Sequence, residues 1–146
     1  MTAEAPSAPG PRDGLDLRWL LDRLLVQVAG VDMAVLLSAD GLLLTGSAGM
    51  PVETAEHLAA TGSALIGLAR STGRQFGRGK MHQAAIEMDG GYLLVAAAGK
   101  GTGLAVLTSS DADIGLIIYE MHLLVRRVGS HMRVGSRPRG PSAAVT

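Results

Sequence analysis

The chain has 146 residues, about one domain's worth, is 47% hydrophobic, and its 13 basic and 13 acidic side chains cancel to a formal net charge of zero. That balance removes the electrostatic footprint of a nucleic-acid binder, and one Phe, one Trp and two Tyr leave no aromatic platform for stacking bases. With no cysteine there are no disulfides and no thiolate metal sites, which fits a reducing cytoplasm. No apolar run reaches the roughly 18 residues of a membrane span, and the N-terminus lacks a charged region followed by an apolar stretch, so a cytoplasmic chain without membrane insertion is expected. Residues 1–14 and 129–146 are rich in Pro, Gly, Ser and Ala without a period that builds a buried face, so both are expected to be disordered tails around a domain at 15–128. The arginines of the second tail, Arg133, Arg137 and Arg139, are unpatterned and read as solubilising.

Leu17, Leu20, Leu21, Leu24 and Val28 recur at helical spacing and predict a first helix, with Asp16 as N-cap and Gly30 as the stop. Met33 to Leu37 reads as a strand. Asp40-Gly41 is a strong hairpin signal, so Leu42 to Thr45 should return antiparallel beside it. Pro51 suits a helix start, where its missing N–H is no loss, and the pattern predicts a long helix to about Thr72 with Gly73 as its end. Met81 to Met88 alternates imperfectly, as an edge strand would. Tyr92 to Ala98 and Leu104 to Leu107 are apolar throughout and need cover on both faces. Their connections, Asp89-Gly90-Gly91 and Gly99-Lys100-Gly101-Thr102, are too short for anything but antiparallel hairpins. A last helix is predicted from Ser110, paired with Asp113 as a capping box, through the stripe Ile114, Ile117, Ile118, Met121, Leu124, Val125 and Val128, ending at Gly129. Arg126 and Arg127 complement its C-terminal dipole. The expected architecture is α+β: an α-β-β-α-β-β-β-α sandwich whose five-stranded antiparallel sheet carries helices on both faces.

This order, with the SADGLLL hairpin at Ser38 to Leu44, the EMDGGYLLV hairpin at Glu87 to Val95 and the DADIGLIIYEM segment at Asp111 to Met121, resembles the roadblock/LC7 family. The resemblance covers about Leu15 to Val128 and is nearest to bacterial roadblock proteins of actinobacterial conservon-type operons. It implies a profilin-like or longin-like fold and a dimer formed through the second helix and the strand at Met81 to Met88. It further implies partners in a small Ras-like GTPase and other products of the same operon, such as a sensor-kinase-like protein.

No catalytic constellation accompanies that match. Gly73 to Met81, GRQFGRGKM, imitates the end of a phosphate loop, but Arg74 stands where the leading glycine belongs and Met81 where the magnesium-holding hydroxyl belongs. The segment also precedes a strand, whereas a phosphate loop must open a helix. His57, His82, His122 and His131 show no ligand spacing. Arg70, Arg74 and Arg78 invite an arginine-finger reading that the family pattern does not require. No cofactor, no metal and no enzymatic activity are expected.

The second helix holds the feature that asks for a partner. Ala55, Ala59, Ser63, Gly67 and Ser71 fall four apart as a ridge of small residues, and Gly62 thins a neighbouring position. Glycine inside a helix costs about 1 kcal/mol relative to alanine, which close approach of another backbone offsets. That backbone is either the chain's own sheet or a second copy across a twofold axis. The family resemblance favours the second copy, and the dimer interface it implies is Ala55, Ala59, Gly62, Ser63, Ile66 and Gly67 on the helix with Met81, Gln83, Ala85 and Glu87 on the edge strand.

Overall fold

The computed structural model describes residues 9–98 and 101–136. In chain order the elements are α1 (Pro9–Gln27), β1 (Val31–Ser38), β2 (Leu43–Gly46), α2 (Val52–Gln75), β3 (Gln83–Met88), β4 (Gly91–Ala97), β5 (Thr102–Thr108) and α3 (Ile114–Ser136). The five strands form one sheet in the order β2-β1-β5-β4-β3, and every neighbouring pair is antiparallel. The element order and the two-sided cover are those expected from the sequence.

Alternation within the central strands explains why both faces must be covered. Ala34 and Leu36 of β1, Leu94 and Ala96 of β4, and Leu104 and Val106 of β5 point to one face, where Leu21 and Leu24 of α1 and Ile117 and Met121 of α3 meet them. Val35, Leu37, Leu93, Val95 and Ala105 point the other way and are covered by Ala55, Leu58, Ala59 and Ile66 of α2. Leu36, Leu37, Leu94 and Leu104 are at most 1% exposed, and each such side chain contributes about 1.5–3 kcal/mol by leaving water. One helix on one face and two on the other leave the sheet ends less covered than its centre.

Four local expectations need correction. The first helix starts at Pro9, not after an Asp16 cap, because prolines in a first turn lack only N–H groups that have no intrahelical acceptor. The second helix runs through Gly73 to Gln75, and the left-handed residue is Gly77, with φ of 66°. Arg78 N–H donates to the Gly73 carbonyl at 2.7 Å and Gly77 N–H to the Arg74 carbonyl at 3.4 Å, which is the paired closure of a Schellman end. The last helix is capped by Asp113 rather than Ser110: its Oδ1 accepts from Leu116 N–H at 3.1 Å. That helix also continues through Gly129 to Ser136, since one glycine costs only about 1 kcal/mol and does not oblige a stop. Residues 9–14 and 129–136, expected in the tails, are therefore helical. Residues 1–8 and 137–146, like Gly99 and Lys100 of the expected turn, lie outside the described residues.

Candidate interaction surface

The small-residue ridge divides. Ala55 and Ala59 are 3% and 0% exposed and belong to the core under α2, with Ile66 beside them. A Cβ on Gly62 would stand 2.8 Å from Leu37 Cδ2 and 3.2 Å from Ala105 Cβ, so this glycine serves the close approach of α2 to its own sheet. Ser63 Oγ donates to the Ala39 carbonyl at 2.9 Å, tying the helix to the β1–β2 hairpin. Of the helix residues expected at the interface, Ala55, Ala59, Gly62 and Ile66 are thus covered within the protomer, Ser63 is engaged there, and Gly67 is open, with nothing within 4 Å of its Cβ position.

The reason is the helical period. At about 100° per residue a four-residue step overshoots a full turn by about 40°, so a ridge written every four residues winds around the helix. It starts on the sheet at Ala55 and has turned to the outside by Gly67. The stripe that faces outward along its whole length is Ala60, Ala64, Gly67 and Ser71, all exposed. Spacing that alternates four and three would have located it in the sequence. Leu68 flanks the stripe at 67% exposure.

The edge strand divides by parity. Cross-strand partners share a face, and Gln83, Ala85 and Glu87 oppose Ala96, Leu94 and Tyr92 of β4, placing them on the α1 and α3 side. Ala84, Ile86 and Met88 lie on the α2 side, where Ile86 is 37% and Met88 46% exposed. A surface that combines α2 with β3 therefore uses Ile86 and Met88, which the sequence expectation passed over in favour of the odd-numbered set. Met81 precedes the strand and packs toward the α2-side core.

Beside the start of β3 the chain forms a cleft of about 590 Å³ lined by Arg70, Arg74, Lys80 and His82, with Met81 and Ala97 among its apolar walls. On the other face of the sheet, His122 of α3 donates from Nε2 to Gln83 Oε1 at 2.6 Å. Burial, then the neighbouring His82 and Arg126, lower the His122 pKa below its ordinary 6.5. A lowered histidine pKa means the unfolded chain takes up the proton first as pH falls. The contribution of His122 to stability is therefore fully present above its ordinary value of 6.5 and is lost as pH falls below it. Thermal unfolding followed across that value should show a falling midpoint whose slope flattens in His122→Gln; an equal slope in the variant would contradict the assignment.

Among the described residues no group of three or more His, Asp or Glu side chains is placed to hold a metal ion, and none of the helices is long and apolar enough to cross a membrane. Gly79-Lys80 follows α2 and leads into β3 rather than opening a helix, the wrong setting for cradling phosphate.

The sequence model of the Roadblock/LC7 domain matches residues 17–108. The chain belongs to that family. A crystal structure of a Roadblock/LC7 domain from Streptomyces avermitilis is 40% identical, with a TM-score of 0.75 over 79% of this chain and 96% of the other. An uncharacterised protein of Methanocaldococcus jannaschii is 30% identical over 112 residues, 75% of this chain and 96% of its own length. MglB of Myxococcus xanthus has a TM-score of 0.76 over 89% of this chain and 96% of its own at 13% identity, a likeness that speaks to the fold. The roadblock core thus spans α1 to β5, and α3, beyond the matched residues, completes the cover of the sheet.

Proposed function

We propose that this roadblock domain is a non-enzymatic homodimeric interaction module that binds a small Ras-like GTPase of its own signalling operon and biases its nucleotide state. The observation that carries the reading is the coincidence, on one side of the molecule, of an uncovered small-residue stripe on α2 and an uncovered edge strand with exposed Ile86 and Met88. An exposed edge invites strand pairing and is ordinarily blunted or covered, and a stripe of Ala, Gly and Ser permits two helices to approach closely. Twofold pairing of these features joins two sheets into one and puts α2 against its copy. The GTPase as partner is carried by family membership, and the mechanism is positional: the dimer surface presses on the switch loops and shifts their order, supplying shape and charge rather than a reacting group.

The test is direct. Addition of the purified protein should change the rate of GTP hydrolysis or of nucleotide release by the co-encoded GTPase, and Gly67→Leu should blunt the effect. A stable complex with unchanged rates would favour instead a structural adaptor for a sensor-kinase-like partner. A surface exists for that second role: Trp19 and Tyr119 stand 55% and 60% exposed on the opposite face, with Arg23 4.8 Å over the Trp19 ring. Alone, the protein should bind neither GTP nor ATP in isothermal titration. Micromolar binding abolished by Lys80→Ala would turn the loop after α2 into a nucleotide site and overturn the reading.

A further inference from the structure

The cleft at the end of α2 gathers cations without acids. Arg70 and Arg74 stand one turn apart on the helix, and Lys80 and His82 come from the segment that leads into β3. No carboxylate lines the cleft among the described residues, although the chain balances 13 basic residues with 13 acidic ones. Glu56, the nearest acid before Arg70 on the helix, lies about four turns away, roughly 20 Å along the axis. Glu87 of β3 faces the other side of the sheet by its pairing with Tyr92. The cationic groups also stand at the rim: Arg74, Lys80 and His82 are exposed, whereas Arg70, Met81, Ala97 and Ala98 are half-buried. A Cβ on Gly79, between the helix end and Lys80, would meet nothing within 4 Å, so the backbone there borders open space.

We propose that this cleft docks an acidic, extended segment of a partner protein, with carboxylates at alternate positions and apolar side chains between them. The proposal rests on the interaction-module reading above and gives it a partner chemistry. Side chains one helical turn apart have Cβ atoms about 5–6 Å apart, and alternate side chains of an extended chain are about 7 Å apart. Two carboxylates at positions i and i+2 therefore reach Arg70 and Arg74 together. A guanidinium holds a carboxylate by paired N–H donation, and Lys80 and His82 stand beyond to receive a third acid. The exposure of the basic groups favours a chain over a compact anion. A small-molecule site buries about 70–90% of its ligand, whereas three of these four basic residues hold an occupant from the solvent side. Met81, Ala97 and Ala98 offer the apolar side chains a footing. With no aromatic ring among the lining residues, bases find no stacking platform.

Fluorescence anisotropy of a labelled Glu-Val-Glu-Val-Glu peptide against the full chain tests this, with Gln-Val-Gln-Val-Gln as the neutral counterpart. The wild type should bind the acidic peptide about tenfold or more tightly than the neutral one, a preference that shrinks as salt rises. This comparison probes the contacts without altering the protein; equal binding of the two peptides would overturn the proposal. Arg74→Gln with Lys80→Gln should weaken capture about tenfold through the loss of charge-assisted contacts. Arg18→Gln with Arg127→Gln removes the same charge from exposed positions on the helices of the opposite face and should bind as wild type does. Equal loss in both pairs would overturn the cleft as the site and leave only general attraction. Inorganic pyrophosphate should displace the peptide only far above the peptide's own Kd. Displacement at or below that concentration would overturn the peptide and make this a phosphate site. Sedimentation of the same samples follows the dimer separately, so a wild-type dimer that fails to capture the acidic peptide would overturn this docking site alone.

Discussion

Alanine at Gly73 should lower the thermal midpoint by about 10 °C, although alanine is the better helix former. The helix-propensity gain is about 1 kcal/mol, but the new Cβ would collide with the Gly79 carbonyl oxygen. That oxygen is backbone and cannot rotate aside as a side chain would. The Gly73 carbonyl itself accepts the Arg78 N–H at 2.7 Å, so the segment from Arg78 to Gly79 folds back over the helix end and closes it. Admitting a methyl group means displacing this closure and, with it, the entry into β3 at Lys80 to Gln83. Overpacking of this kind costs about 1–3 kcal/mol, occasionally more, and at the upper end corresponds to about 10 °C for a domain of this size. Circular dichroism melts of Gly73→Ala against wild type check it; an unchanged or raised midpoint would show that the loop after α2 gives way freely.

Leucine at Gly67 should leave the protomer folded and weaken the dimer by about a hundredfold. With nothing within 4 Å of the Cβ position, the side chain enters open space within one protomer. In the proposed dimer it enters the seam between two copies of α2 and wedges them at two equivalent places, and two such overpacked contacts of about 1.4 kcal/mol each give that factor. Gly62→Leu is the natural contrast. There the side chain meets Leu37 and Ala105 of the same protomer, and the loss should appear as unfolding rather than dissociation. Equal dimer affinity in wild type and Gly67→Leu would exclude the outward stripe as the contact.

What the sequence made legible follows physical range. The uninterrupted apolar runs at Tyr92 to Ala98 and Leu104 to Leu107, with turns too short to cross over, demanded an antiparallel sheet covered on both faces. The structure has that sheet and that cover. The Asp40-Gly41 turn was equally local: Gly41 takes φ of 90°, and Leu42 N–H donates to Ser38 Oγ at 3.1 Å. Helix ends were less legible because they depend on what the next segment does. Gly73 and Gly77 are equivalent candidates for a stop until the return of Arg78 and Gly79 over the helix chooses between them. Gly129 is a plausible stop on its own terms, yet α3 passes through it.

The candidate surface was legible in kind but not in detail. Small residues on the second helix announced a close approach, and the structure divides them: Gly62 faces the chain's own sheet, while Gly67 faces away from it. Reading the ridge at a spacing of four merged the two, because the winding of about 40° per step was ignored. On the edge strand, alternation separates Gln83, Ala85 and Glu87 from Ala84, Ile86 and Met88, though Met81 packs with the second set's side, and which set shares a side with α2 is fixed by the pairing of β3 with β4 and by where α2 packs. Neither is written in the strand itself. The basic cleft had no signal in any single motif, since Arg70 and Arg74 come from a helix and Lys80 and His82 from the segment after it.

Sedimentation equilibrium of the wild-type chain at micromolar concentration tests the central claim most directly, because a twofold module is the premise of every partner role assigned to the α2 and β3 surface. Twice the mass of one chain is the predicted result, falling to a single-chain mass in Gly67→Leu at the same concentration. A wild-type protein that sediments as one chain throughout would contradict the account.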